Sequence, residues 1–317
     1  MVTKRRRWLG TMASVLCVLG ATTAVARVGG GRETERPARW GRFSAREHRY
    51  ALGARVRLLL FWMGKDNVGE ARLAWLTDAT GARGYELLIG SDPAKAPRQI
   101  NRWGYVSECE TASGVQVFGL MTEADEQSLE QAKATTGTIA DGSRVFKIIR
   151  ETVGGDNATS LVQGVALSNR LTLHDVDAVI AQVPEPRPGK SVRVPPGVDP
   201  GFLFSMAALI HENVESAERS GRAPVGTRRS YVYANKLYGL VTRSSKVLKQ
   251  VTIKGRTYTH VIESEFETRA EANGDGAVTC RVVYATQGAL REVPVQIVYR
   301  PKWWFEAEIV LVDGTRE

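Results

Sequence analysis

The sequence predicts a mainly β protein: an antiparallel curved sheet or half-barrel with one packed amphipathic helix, at the margin of the α+β class. Three observations predict it. First, the last hundred residues alternate with a period of two. Tyr258, Ile262 and Phe266 point one way with His260 and Ser264, while Glu263, Glu265, Glu267 and Arg269 point the other. Val278, Cys280, Val282 and Tyr284 repeat the pattern, as do Val293, Val295, Ile297 and Tyr299. Second, turn chemistry separates these runs: Asn273-Gly274-Asp275-Gly276 is a strong hairpin turn, and Gln287-Gly288 turns the chain again. Third, Phe202 to Arg219 carries a clear helical period. Its apolar residues Leu203, Met206, Ala207, Ile210, Val214 and Ala217 recur at spacings of three and four.

The elements follow in order. Met1 to Arg7 is basic, Trp8 to Leu19 is apolar, and Ala24-Val25-Ala26 offers small residues for cleavage, so residues 1–26 read as a signal peptide. The apolar stretch is shorter than the roughly 20 residues of a permanent span. Arg5-Arg6-Arg7-Trp8-Leu9 resembles a twin-arginine export signal, with Trp8 where Phe is more usual. The Cys17 region lacks the small preceding residue that lipidation needs. This places the protein in the periplasm or outside the cell. Residues 27–46, rich in Arg, Gly, Pro and Glu, read as a disordered arm. A β-rich region spans 47–183: short apolar runs at 56–62, 68–76, 85–89, 103–108 and 115–120 are separated by Gly, Asp, Asn and Pro. Residues 123–134 form a helix with a thin apolar stripe, and strands at 144–152 and 160–167 flank the Gly154-Gly155-Asp156-Asn157 turn. Thr172-Leu173-His174-Asp175 opens a short helix as a capping box. Residues 184–200 hold six prolines and form either a linker or a strap; residues 201–317 supply the helix and a C-terminal meander.

Bulk properties bound the function. The chain of 317 residues, 43% hydrophobic, has enough material for a real core. Its formal net charge is +9, and four of those charges (Lys4, Arg5, Arg6, Arg7) lie in the leader, leaving +5. That mild excess favours anionic surfaces by long-range attraction. Without a basic helix or an aromatic RNA-binding signature it excludes a nucleic-acid partner. There is no nucleophile elbow and no phosphate-binding loop. His211-Glu212 lacks the second His of a zinc protease. His174, Asp175 and Asp177 are the acids and polar residues expected at a helix start rather than a metal cluster. Glu271 to Gly276 echoes half a calcium loop, but Val282 stands where the last ligand belongs. We therefore expect no metal, no cofactor and no catalytic set. Cys109 and Cys280 remain once the leader is gone; they form either a disulfide or two buried thiols.

Trp303-Trp304-Phe305 places adjacent rings on opposite faces of a strand. One ring faces the core and the other is available to a helix, an apolar ligand or a membrane surface. The closing pattern Val293-Pro294-Val295-Gln296-Ile297, then Trp303 to Leu311, resembles the last hairpin of periplasmic lipid- or lipoprotein-carrier half-barrels of the LolA/LolB type. It is similar also to uncharacterised exported β-rich bacterial proteins that share Val68-Gly69 after an opening strand. The resemblance implies a lipid or other apolar small molecule as partner, with peripheral membrane contact. The composition points to a groove between the 202–219 helix and the sheet of residues 257–312. It would be lined by Phe204, Met206, Tyr258, Phe266, Tyr284 and Trp303 or Trp304, with a void of about 300 Å³ or more. The competing expectation is an exported hydrolase-like enzyme with a site assembled from His260, Glu263, Asp66 and Arg102.

Overall fold

A computed structural model describes residues 43–58, 61–122, 126–184, 189–271, 277–302 and 304–312. The expected signal peptide, most of the expected arm, the Asn273 to Gly276 turn and Trp303 lie outside the described residues. The arm ends earlier than its composition suggests: the first strand begins at Phe43, which is buried against Ala74, Leu76 and Cys109.

In chain order the strands are β1 (Phe43–Leu58), β2 (Phe61–Asp78), β3 (Arg83–Ser91), β4 (Trp103–Thr111), β5 (Gly114–Met121), β6 (Ser143–Gly154), β7 (Asn157–Ser168) and β8 (Lys190–Arg193). Then come β9 (Arg228–Tyr233), β10 (Lys236–Ile253), β11 (Arg256–Ala270), β12 (Val278–Ala285), β13 (Pro294–Lys302) and β14 (Phe305–Leu311). The helices are α1 (Glu126–Thr136), α2 (Val176–Gln182) and α3 (Phe202–Ser220).

Among the described residues these fourteen strands form one open sheet, ordered β8-β7-β6-β5-β4-β3-β2-β1-β14-β13-β12-β11-β10-β9. Neighbouring strands are antiparallel throughout. The sheet is thus two meanders joined at one seam, where β1 lies beside β14 from Tyr50↔Leu311 to Val56↔Phe305. The chain passes between the meanders through the proline-rich segment and α3. Val194 N–H donates to the Asp156 carbonyl at the β8 edge, and Asp199 pairs with Tyr231 on β9 at the other. Val153, Ala158 and Val194 pack with Val232 in one cluster. The segment is therefore a strap: the sheet curls until its edges meet across it, which is the accumulated twist of many strands put to use.

The curl wraps the concave face around α3. The main core holds Leu203, Met206, Leu209, Ile210 and Val214 of α3 together with residues from both meanders, among them Leu52, Leu73, Leu87, Val106, Val117, Tyr231, Phe266, Val282, Ile297 and Ile309. The expectation that α3 packs on residues 257–312 was too narrow. Its first two turns are almost wholly buried, one side becomes half-exposed from His211 onward, and the last turn emerges. The convex face of β3 to β6 is covered as well: α2 and its entry turn lay Leu173, Val176, Val179 and Val183 over Trp103, Phe118, Phe146 and Ile148. Strands covered on both faces read as unbroken apolar runs, which is why residues 103–120 alternate poorly. The backbone of α1 touches β7 at Gly164, where a Cβ would stand 1.8 Å from the Ser128 carbonyl oxygen.

One open alternative is decided here, and one expectation changes. Cys109 on β4 and Cys280 on β12 are buried thiols in different clusters, not two halves of a disulfide. His260 does not point inward. It has φ of +52°, lies where the β10–β11 ladder lacks a pair between Leu248↔Val261 and Gln250↔Thr259 with no change of register, and is exposed. The inward period of β11 holds only from Ile262 through Ser264, Phe266 and Thr268.

Candidate functional site

The register builds the interior one row at a time. Residues opposite each other in an antiparallel pair share a face. Arg46↔Trp75, Trp75↔Tyr85, Tyr85↔Glu108, Glu108↔Val117, Val117↔Glu151, Glu151↔Ser160 and Ser160↔Lys190 therefore form one lateral row across β1 to β8. Two carboxylates lie in this row with one valine between them, and both are buried.

Each carboxylate holds a piece of backbone. Glu108 accepts the N–H of Leu203 through Oε1 and of Phe204 through Oε2, both at 3.0 Å. The first N–H groups of a helix have no intrahelical acceptor and carry its positive dipole end. Here β4 supplies the acceptor that Gly201, the capping residue, has no side chain to provide. A Cβ on Gly201 would come within 2.3 Å of Glu108 Oε2. Glu151 accepts the N–H of Ala234, at 3.1 Å, in the β9–β10 turn. Burial pushes both carboxyls up to about 7, outweighing the N–H donors, and their mutual repulsion raises Glu108 further.

Other polar groups of the interior are engaged as well. Tyr284 Oη receives the Asn213 amide at 2.9 Å and meets Ser264 Oγ at 2.8 Å. Arg229 joins Asp199 and Glu212, fixing the strap to α3 and β9. His211 Nδ1 lies 2.9 Å from Glu292, which also receives Arg291. His48 stands edge-on to Trp75, its ring centroid 5.3 Å away, and burial together with Arg46 lowers it to about 4.

Of the residues expected to line a groove, Phe204, Met206, Phe266 and Tyr284 are buried in the one core with α3, and Tyr258 packs at its margin. Trp304 is half-buried beside Phe305, ring centroids 6.1 Å apart, at the barrel end and not at the α3 seam. The space by Phe266, Leu240, Cys280 and Tyr299 is a crevice of about 180 Å³ that excludes even a water-sized sphere. The residues of the hydrolase-like alternative engage separate partners: Glu263 meets Arg281, Asp66 meets Lys254, Arg102 donates to the Thr122 carbonyl, and His260 faces solvent. No group of three or more metal-ligating side chains occurs among the described residues, and no helix among them is long and apolar enough to cross a membrane. Glu108 and Glu151 escaped sequence reasoning, because each is defined by cross-strand neighbours far away in the chain.

Fold and site together define a curled antiparallel β protein whose interior is occupied by its own helix. No family model matches the chain, and no curated protein matches it. Among solved structures it is similar to a β-barrel-like protein of the domain of unknown function DUF1849 from Brucella abortus. That likeness covers 84% of this chain and 96% of that one, at 8% identity and a TM-score of 0.39.

Proposed function

We propose that this is a non-enzymatic protein of the bacterial envelope that binds a lipid-like molecule, with α3 as the resident occupant of the binding space. One observation carries the reading: strands of both meanders turn apolar side chains onto a single helix that reaches the interior through a proline- and glycine-containing strap. A sheet wrapped round a detachable apolar element has the form of a container. Displacing α3 would expose Phe266, Tyr284 and their neighbours to an acyl chain. The leader pattern of residues 1–26 supports the envelope location. The enzyme reading lacks convergent groups, since the two carboxyls with raised pKa already hold backbone N–H groups.

Native mass spectrometry of protein recovered from its own host tests the proposal. We expect a co-purifying lipid. Val282 on β12, with 0% exposure, belongs to the core around α3 and stays in place when the helix leaves. Val282→Trp overpacks that position, at a cost of about 1–3 kcal/mol, and should abolish the adduct in the fraction that remains folded. A parent protein with no bound lipid, or a folded Val282→Trp that keeps the full adduct, overturns the reading.

A further inference from the structure

The β1–β2 hairpin runs on past the end of β3, while β14 accompanies its other side as far as Val56. β3 pairs with β2 only from Gly69 onward, and residues 61–67 are all exposed. Three successive large apolar side chains stand there: Phe61, Trp62 and Met63, at 75%, 42% and 61% exposure. Isolated exposed hydrophobics are ordinary, but a contiguous group at a protruding tip marks an interaction surface.

The two faces of the tip differ. On one, Met63 is opposite Val56, and Val56 is opposite Phe305. Phe61 shares that face by alternation. The same face continues inward through Ala54 and Ala307 to Leu52 and Ile309 of the main core. An apolar strip therefore leads from the interior to the exposed end. On the other face Trp62 is opposite Arg57, and the Arg300 guanidinium lies over the indole, 6.0 Å from its centroid.

Charge is sorted by depth around the same end. Arg55 pairs with Glu306 and Glu308, Arg300 with Glu306, and Lys254 with Glu308. The two glutamate side chains are only 7% and 9% exposed, whereas Arg55, Lys254 and Arg300 are 41%, 42% and 58% exposed. Lys65 and Arg57 add further cations, and Asp66 is the exposed acid among them. Glu306 and Glu308 lie beneath, and the cations, with Asp66 among them, face outward. Solvent thus meets aromatic rings among ammonium and guanidinium groups, the combination suited to the headgroup region of an anionic bilayer.

We propose that the tip of the β1–β2 hairpin docks the protein on an anionic lipid bilayer, with Phe61, Trp62 and Met63 entering the headgroup region and the surrounding Arg and Lys residues meeting lipid phosphates. This goes beyond the ligand reading and does not depend on it, because docking needs neither a cavity nor movement of α3. The test is co-sedimentation of protein recovered from its host with vesicles of phosphatidylcholine, alone or mixed with phosphatidylglycerol. We expect binding to the mixed vesicles, weakened by high salt and by omission of phosphatidylglycerol. The triple variant Phe61→Ser, Trp62→Ser, Met63→Ser should bind roughly tenfold more weakly or worse, with an unchanged circular dichroism spectrum and melting temperature. Parent protein that stays in the supernatant overturns the proposal, as does a triple variant that binds equally well. A parent dimer that the triple variant converts to monomer, without vesicle binding, overturns it in favour of a protein interface.

Discussion

Raising the pH from 5 to 8 should weaken this fold through Glu108 and Glu151. Both carboxyls are held at about 7 by burial, against 4.5 for an ordinary glutamate. An acid raised in this way gives the folded state its full advantage below pH 4.5. The advantage is lost as pH rises, because the unfolded chain ionises first and the folded chain must then carry a buried charge. Linkage over pH 5 to 8 gives a loss of about 2.5 kcal/mol per carboxyl, or roughly 5 kcal/mol for the pair at most. His48 works in the opposite direction. Its folded value of about 4 lies below the ordinary 6.5, so the fold is penalised at pH 5 and recovers about 2 kcal/mol by pH 8. The three groups together leave a net loss near 3 kcal/mol. The assay is urea unfolding at both pH values, with equal slopes on denaturant. Glu108→Gln with Glu151→Gln removes both acids while keeping their shape. That variant should be weaker than the parent at pH 5, because one amide oxygen cannot serve both the Leu203 and Phe204 N–H groups. It should nevertheless be more stable at pH 8 than at pH 5, the reverse of the parent. A double variant that loses as much stability as the parent between the two values refutes the assignment of the effect to these carboxyls.

Two further outcomes follow from the packing. Gly201→Ala drives a methyl group into the Glu108 carboxylate and should cost about 2–5 kcal/mol through the lost acceptor of α3, read as a lower urea midpoint; a midpoint equal to the parent's would show that the carboxylate can move aside. Cys109 and Cys280, both buried thiols, should resist a thiol reagent in the native protein and both react in denaturant, whereas two thiols silent in denaturant without reductant would restore the disulfide.

Much of the fold was legible because its signals are local. The three- and four-residue spacing from Leu203 to Ala217 located α3 to within a residue. Alternation located the strands after residue 257, because the outer face of that sheet is wet and charged. The site was harder to read. Glu108 follows Ser107 in a short run with no visible period, since β4 is covered on both faces. Its role depends on Gly201, more than ninety positions later. His260 misled because its left-handed backbone, φ +52°, leaves no mark in a pattern of apolar residues. The apolar tip was visible only as the end of a run, Phe61-Trp62-Met63, with nothing to show that β3 would stop short of it.

The seam between β1 and β14 also governs when the protein can be completed. During synthesis β1 to β8 can form hairpins as they appear, and so can β9 to β13, because each pairs with its neighbour in sequence. The middle of the sheet has to wait. Tyr50 meets Leu311 only after nearly the whole chain has been made, and until then each meander shows an open edge where the other belongs. Such edges invite pairing with another chain. Loss of the last strand would therefore not shorten the sheet at its rim. It would divide the sheet at its centre, leaving α3 lying between two halves with no direct pairing across the gap.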